Sequence, residues 1–331
     1  MNVKAYLWEA AHGKYTRALP ILSFPAVQKM QVSVDQLVHD AGLQAEAMRL
    51  IVQKTDSLAA VSLMDLSVEA EAFGAKVIFY EDEVPAVTGQ LVSDEDEAAA
   101  LKVPGLDAGR IGLCVEAVRM AKQTIVDRPV LAGMIGPYSL AGRLMDVTEI
   151  MYACYDEPEM VHAVLDKAAQ FLIAYGRAFK DAGADGIMMA EPLAGVLSPD
   201  LMVEFSVPYV KRIIDALQDD DFAVIYHNCG NAVPHMLEAI FAQGAAAYHF
   251  GNAVDMAQIL EKAPVDALCM GNIDPASCFV QGTAEEMTAA VHKLMEECSA
   301  YPNFLLSSGC DIPAHAKWEN IDAFFGALNQ V

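Results

Sequence analysis

The amino-acid sequence predicts a TIM-type (β/α)8 barrel, an α/β fold in which eight parallel strands alternate with helices. Short apolar runs that end in Gly, Asn, Asp or Pro alternate with longer stretches of helical periodicity, which is typical of repeated βα units. The chain has 331 residues, 54% of them apolar, without an internal break in composition. Because one such barrel occupies about 250 residues or more, we predict one domain over 1–331 with an N-terminal extension at 1–17. An open doubly wound sheet is the alternative.

Eight segments have the length and apolar character of buried parallel strands. They are residues 19–24, 59–65, 129–135, 185–190, 222–228, 245–250, 266–271 and 304–309.

The segments between these strands have the periodicity of amphipathic helices. We place helices at 34–54, 109–124, 157–181, 199–218, 232–243, 254–262, 284–300 and 318–328. Several begin at residues that favour helix N-termini, such as Ser198 with Pro199, and Thr283.

Two insertions extend this plan after the second and third strands. Residues 68–108 predict a short helix, a β-hairpin and a solvated acidic loop, and residues 136–156 predict a Gly-Pro turn followed by an amphipathic helix. Both follow the carboxyl ends of strands, where barrels of this class keep their active sites. We therefore expect both insertions at the mouth, as lid or docking elements.

Charge and composition restrict the classes of partner and the compartment. The formal net charge is −24, which would repel nucleic acid and anionic membranes over most of the surface. The sequence starts without an apolar leader and contains no run of 18 apolar residues. Seven dispersed cysteines, an odd number, favour reduced thiols. We expect a cytoplasmic protein without nucleic-acid or membrane partners.

The residues that carry chemistry follow two of the predicted strands. His227 and Cys229 are two apart in an extended segment, so their side chains point to the same side. Cys310 follows the last strand, whose end faces the same mouth. One imidazole and two thiolates suit Zn²⁺, and three protein ligands leave a position open for a substrate. The alternative for the His-x-Cys pair alone is ordinary core packing; the late Gly-Cys-Asp segment favours the metal.

The other cysteines lie in predicted helices or inside strands, and we interpret them as packing residues. They are Cys114, Cys154, Cys269, Cys278 and Cys298.

Glu191 ends the strand at 185–190 and is the candidate catalytic residue. It could be a displaceable fourth zinc ligand or a base that removes a thiol proton. The alternative is a rim carboxylate bound to a helix N-terminus.

Further polar residues follow other strands. Asn252, Asn272 and Asp274 are candidates for binding the cofactor, and His249 and Asp65 also follow or end strands. A supporting or turn role is the alternative for each of them.

The motifs YHNCGN, GNIDP, SSGCDIP, MDLSVEAEAFG and GPYSLAGRLM resemble the uroporphyrinogen decarboxylase superfamily, and within it the methylcobamide:coenzyme M methyltransferases. The resemblance implies an α/β barrel with zinc at His227, Cys229 and Cys310, and Glu191 as an additional ligand or orienting group. It implies transfer of a methyl group from a methylcorrinoid, carried by a small corrinoid-binding protein, to a thiol such as coenzyme M. A homodimer is a further hypothesis.

Several alternatives remain at this point. The decarboxylase branch begins its first strand with arginines that bind porphyrinogen carboxylates, whereas this sequence reads ALPILSFPAVQKM there, which argues against such a substrate. The residues AHAKWEN after GCDIP depart from the methyltransferase pattern and put coenzyme M itself in doubt. A folate or homocysteine acceptor and a non-catalytic corrinoid scaffold are the other hypotheses.

Overall fold

A computed structural model describes residues 2–12 and 17–330. It contains one parallel sheet of seven strands and a separate antiparallel hairpin. The sheet strands, in spatial order, are β1 (Ala60–Val61), β4 (Val130–Ile135), β5 (Gly186–Ala190), β6 (Ala223–Asn228), β7 (Ala247–Phe250), β8 (Cys269–Ile273) and β9 (Phe304–Ser308). The hairpin consists of β2 (Lys76–Ile78) and β3 (Ala86–Thr88).

Helices connect the strands and cover the sheet. They are α1 (Val3–His12), α2 (Ala26–Met30), α3 (Val34–Val38), α4 (Ala41–Lys54), α5 (Val68–Phe73), α6 (Glu95–Ala100), α7 (Ile111–Thr124), α8 (Pro137–Met145), α9 (Val147–Asp156), α10 (Pro158–Asp181), α11 (Pro199–Phe205), α12 (Val207–Leu217), α13 (Leu237–Phe241), α14 (Met256–Lys262), α15 (Ala284–Cys298) and α16 (Trp318–Leu328). Shorter helical turns lie at Leu193–Val196, Val233–His235 and Pro275–Gln281. Among the residues described, no helix is both long and apolar enough to cross a lipid bilayer.

Each pair of neighbouring strands in the seven-stranded sheet is parallel, so the carboxyl ends of these strands lie together at one end of the sheet. In the parallel register, Ala190 pairs with His227, and His227 pairs with His249. This register brings the predicted site residues of β5, β6 and β7 side by side at one end of the sheet.

Both faces of the sheet are buried. In β5, Ile187 and Met189 pack in the larger apolar cluster with the helices, whereas Met188 and Ala190 pack in a second cluster formed largely by alternate strand residues. This alternation follows from the two-residue period of a strand. The second cluster is the interior of the curved sheet, as a barrel-like fold requires.

The prediction of a strand at 19–24 is wrong. Ala18, just before the segment, forms an isolated bridge with Ser57 ahead of β1, and the Leu19 amide donates to Leu306 O of β9 at 3.0 Å. Pro20 lacks an N–H for a regular ladder, and serine hydroxyls replace backbone partners: Ser308 Oγ accepts from Ile21 N, and the Ser307 hydroxyl donates to Leu19 O. The segment therefore contacts both edge strands without being a strand.

Two long predicted helices are each divided in two. Residues 34–54 form α3 and α4, because the Asp40 side chain accepts from Leu43 N and begins a new helix. Residues 199–218 form α11 and α12, which meet at Ser206, just before Pro208. A proline removes the N–H that an uninterrupted helix needs at that position.

The predicted insertions have regular structure. Residues 68–108 contain α5, the hairpin and α6; the acidic run expected as a loop is helical because Asp94 accepts from Glu97 N at 2.8 Å. Residues 136–156 form α8 and α9. The lid or docking role of the insertions stays a prediction.

The predicted extension at 1–17 is partly described, since residues 13–16 lie outside the described ranges. Within it, α1 packs Val3 and Leu7 into the interior cluster, and the Tyr6 hydroxyl donates to Leu58 O, ahead of β1. Helix α1 therefore packs at the amino ends of the strands, away from the end that carries His227.

Candidate metal centre

Three predicted ligands converge at the carboxyl end of the sheet. His227 lies in β6, Cys229 follows it by two residues, and Cys310 follows β9. Their ligand atoms lie within 4.8 Å of one another, and Cys310 Sγ is 3.6 Å from His227 Nε2. The structure thus brings together the imidazole and the two thiols that the sequence selected.

The spacing of these atoms fits a zinc ion. Tetrahedral zinc with Zn–S near 2.3 Å and Zn–N near 2.0 Å holds its ligand atoms about 3.5–3.8 Å apart. The 3.6 Å between sulfur and nitrogen falls in this range, and the other separations between ligand atoms are at most 4.8 Å. One nitrogen and two sulfurs are also a donor set that zinc prefers.

The two thiols lie close enough to shift each other's pKa. The Cys310 thiol hydrogen-bonds to Cys229, which lowers the pKa of Cys229 to about 7 and raises that of Cys310 to about 12, with burial adding to the increase. By contrast, burial alone raises the pKa of Cys269 to about 12. Cys229 is therefore readily ionised near neutral pH, which is the form in which cysteine binds metals.

A glycine of the neighbouring strand end sets the position of Cys229. A β-carbon placed on Gly251, just after β7, would lie 2.5 Å from both Cα and Cβ of Cys229. Only glycine permits this close approach of the two backbones. Gly251 is not among the residues predicted from the sequence, although its position directly after a parallel strand next to β6 is a usable signal.

The other nitrogen of His227 is held by a second histidine. His227 Nδ1 lies 2.7 Å from His249 Nδ1, and His249 Nε2 lies 2.7 Å from Ser307 Oγ. All three side chains are buried. His249 thus holds the candidate ligand His227 in place, which is the supporting role given as an alternative for it.

Glu191 is fully buried beside the metal centre but is bound to a helix. Its oxygens accept from the backbone amides of Tyr138 and Ser139 at 3.0 and 2.6 Å, at the start of α8. Burial raises the pKa of Glu191 to about 7 despite these bonds. Its backbone amide also donates to His227 O at 2.8 Å. The geometry matches the alternative of a carboxylate at a helix N-terminus.

Glu191 is not among the described residues whose ligand atoms could share one ion with His227. Its part in catalysis stays a prediction.

The three predicted cofactor-binding residues support loops at the same end of the sheet. Asn272 donates to Gly251 O and Val254 O at 2.9 and 2.8 Å, and so fixes the loop that packs on Cys229. Asn252 packs against Gly309. Asp274 accepts from two amides at the start of the turn at Pro275–Gln281. A direct contact of these residues with a cofactor stays a prediction.

Asp65, after β1, belongs to a buried ion-pair network. It accepts from Ser67, and it pairs with Arg110 at 2.5 Å; Arg110 also binds Glu71 at 2.7 Å. Asp65 therefore binds residues of the surrounding structure, which is the supporting role given as its alternative.

A cavity of about 210 Å³ lies next to Glu191 at the carboxyl end of β4 and β5. It is lined by Leu66, Ile135, Ser139, Arg143, Val147, Pro192 and Leu193. Arg143, from α8, is the charged residue in this lining, and the other side chains are mostly apolar. The cavity offers space for a small molecule with an anionic end.

Comparisons with known proteins place this architecture in a family. A family model described as Uroporphyrinogen decarboxylase (URO-D) matches residues 8–331. A methylcobamide:CoM methyltransferase, MtbA, of Methanosarcina mazei is 30% identical over 78% of this chain and 75% of its own length. A uroporphyrinogen decarboxylase of Desulfotalea psychrophila is 29% identical over 86% of this chain and 84% of its own length.

A solved structure of a methyltransferase from Methanosarcina mazei has the same fold, with a TM-score of 0.87 and 22% identity over 100% of this chain and 99% of that chain. The barrel-like α/β fold predicted from the sequence is therefore confirmed, with seven regular strands in place of eight. The family match over almost the whole chain also confirms the resemblance inferred from the motifs. The chain belongs to the uroporphyrinogen decarboxylase family of enzymes.

Proposed function

We propose that this enzyme uses zinc to transfer a methyl group from a methylated corrinoid to a small thiol. The observation that carries the proposal is the convergence of His227, Cys229 and Cys310, with ligand atoms within 4.8 Å of one another. The similarity to MtbA proteins, named methylcobamide:CoM methyltransferases, supports the same reaction class.

In this proposal, the imidazole of His227 and the two cysteine sulfurs hold the metal and leave a position open for the substrate. When bound there, zinc would lower the pKa of a substrate thiol so that it is available as a thiolate at neutral pH. Cys229 and Cys310 are half-buried, so the candidate centre is accessible from the mouth.

The reaction forms a sulfur–carbon bond and breaks the carbon–cobalt bond, and the corrinoid leaves as cob(I)alamin with both electrons of that bond. The thiol proton goes to solvent or to a buffer. The protein must hold sulfur, carbon and cobalt in line and exclude water from them. Glu191 contributes by fixing α8 against β6, because its carboxylate binds the α8 amides and its own amide binds His227 O.

The cavity with Arg143 is the proposed site for the rest of the thiol. A guanidinium recognises a sulfonate or carboxylate by charge-assisted hydrogen bonds. In a chain with a net charge of −24, such a local cation would be needed to bind an anionic acceptor such as coenzyme M.

The corrinoid is proposed to arrive on a small partner protein that docks at the insertions. Helix α9 exposes two tyrosines, Tyr152 and Tyr155, with 63% and 71% of their surface accessible. Exposed aromatic side chains near a site are typical of docking surfaces. This supports the second insertion as part of the interface.

Metal analysis and a methyl-transfer assay test the proposal. We expect about one zinc per chain in the purified protein, lost in Cys310→Ser and retained in the control Cys278→Ser, which changes a half-buried cysteine outside the centre. With free methylcobalamin and a panel of thiols, the wild type should release cob(I)alamin, detected by its absorbance.

The rival reactions have distinct outcomes. A chain without zinc that decarboxylates uroporphyrinogen would overturn the proposal in favour of the decarboxylase branch. Transfer to a folate, but to none of the thiols, would change the acceptor. A chain that binds a corrinoid protein but never demethylates methylcobalamin would be a scaffold.

A further inference from the structure

A chain of three hydrogen bonds leads from the metal centre into the protein interior. It joins His227 Nδ1 to His249 Nδ1 at 2.7 Å, His249 Nε2 to Ser307 Oγ at 2.7 Å, and the Ser307 hydroxyl to Leu19 O at 2.7 Å. His249 and Ser307 are fully buried, and His227 is 2% exposed. The two histidine rings meet edge to face, 4.6 Å between centroids.

Counting hydrogens along this chain determines where each proton lies. The Leu19 carbonyl can only accept, so the Ser307 hydroxyl donates to it. The Ser307 oxygen then accepts from His249 Nε2–H. In a neutral imidazole the remaining nitrogen, His249 Nδ1, is an acceptor, and full burial favours the neutral ring.

The acceptor at His249 Nδ1 requires a donor at His227 Nδ1. This leaves the lone pair on His227 Nε2, the atom that lies 3.6 Å from Cys310 Sγ. The tautomer needed for metal binding through Nε2 is therefore set before any metal arrives.

We propose that His249 and Ser307 are positioning residues that lock His227 in its Nδ1–H tautomer and keep Nε2 available to zinc. The inference deepens the proposed function and rests on its zinc site. A second histidine thereby accepts the ring N–H of His227, a function that a carboxylate or a backbone carbonyl has for many metal-bound histidines. The segment 19–24 takes part because its Leu19 carbonyl accepts from the Ser307 hydroxyl and so orients it at the inner end of this series of hydrogen bonds.

The tautomer of His227 can be measured in the metal-free wild-type protein by NMR with ¹⁵N-labelled histidine. We expect a protonated Nδ1 and an unprotonated Nε2 on His227, and the opposite pattern on His249. A protonated Nε2 on His227, or fast exchange between its two tautomers, would overturn the inference. This measurement does not depend on methyl transfer.

Zinc affinity, measured by competition with a chromophoric chelator, tests the two positions by substitution. His249→Leu removes the acceptor and should weaken zinc binding about 10- to 100-fold, the range found for such supporting groups. His249→Asn offers an amide oxygen near the original Nδ1 and should restore most of the affinity. Equal losses in the two variants would contradict a tautomer-setting role.

Two adjacent serines provide a matched pair. Ser307→Ala removes the hydroxyl that orients His249 and should also weaken zinc binding, whereas Ser308→Ala should not. Both serines are fully buried in β9, but the Ser308 hydroxyl accepts from Ile21 N and takes no part in the hydrogen bonds that lead to His227. Equal effects in both variants would show a general packing defect and overturn the inference.

The two proposals fail differently. A wild-type chain that binds no zinc would overturn the proposed function, and the NMR measurement would still decide the tautomer. A wild type that binds zinc with unchanged affinity in His249→Leu would overturn this inference alone. Thermal melting of each metal-free variant, followed by circular dichroism, identifies those that fail to fold.

Discussion

Substitution of Gly251 by alanine should disable the metal centre without touching a ligand. The new β-carbon would lie 2.5 Å from Cα and Cβ of Cys229, whereas carbon atoms in contact are about 3.5 Å apart or more. The two backbones must therefore separate by about 1 Å. Metal–ligand distances tolerate errors of only about 0.2 Å, so the Cys229 sulfur would no longer complete the site.

Because this displacement exceeds the tolerance several-fold, we expect Gly251→Ala to lower zinc affinity by more than about 100-fold, beyond the loss caused by a supporting residue alone. Competition with a chelator measures the affinity, and cob(I)alamin release measures the activity. Gly326→Ala is the matched control: it makes the same chemical change in α16, where a β-carbon meets no atom within 4 Å.

A double variant separates displacement of Cys229 from a general loss of structure. In a Cys229→Ala background the ligand is already absent, so adding Gly251→Ala should cause no further loss of zinc affinity. Wild-type affinity in Gly251→Ala, or a large additional loss in the double variant, would refute this explanation of the glycine.

Three further predictions concern other parts of the molecule. Burial raises the pKa of Glu69 from 4.5 to about 7, so the folded state retains a proton that the unfolded state loses, and stability falls as pH rises through this window. The free energy of unfolding of Glu69→Gln, relative to that of the wild type, should therefore rise by about 3 kcal/mol from pH 4 to pH 8. If urea titrations give the same difference between the two proteins at both pH values, the raised pKa is contradicted. Arg143→Gln should raise the KM for 2-mercaptoethanesulfonate by about tenfold or more and leave that for 2-mercaptoethanol almost unchanged, since only the first can pair with a guanidinium; equal changes in steady-state assays would exclude the anion site. The double variant Tyr152→Ser with Tyr155→Ser should raise the KM for a methylated corrinoid protein but not for free methylcobalamin, and equal effects on both would place the docking surface elsewhere.

The convergence of the three candidate ligands could be predicted from the sequence because each is marked by a local pattern. His227 and Cys229 share the two-residue period of a strand, and the Gly-Cys-Asp segment containing Cys310 follows another strand of the same parallel sheet. The period and the common direction of the strands are local rules. They hold here without knowledge of any long-range contact.

The supporting residues could not be predicted in the same way. Ser307 and Leu19 meet across 288 positions of sequence, and nothing near Leu19 indicates that its carbonyl will orient a serine at the other end of the chain. The segment at 19–24 has the apolar pattern of a strand but forms none, because some of its hydrogen-bond partners are the side-chain hydroxyls of Ser307 and Ser308. The periodicity of the sequence does not indicate such partners.

The convergence of the three candidate ligands also distinguishes between the two folds that the sequence allowed. His227 and Cys229 are at β6, whereas Cys310 follows β9, and two strands lie between. In a flat sheet, three inter-strand spacings of about 4.8 Å would separate these strands by about 14 Å. Their ligand atoms instead lie within 4.8 Å of one another, which requires a sheet curved so strongly that its inner side chains meet across the mouth. An open doubly wound sheet lacks that curvature, so these three side chains can converge only because the strands follow a barrel-like course.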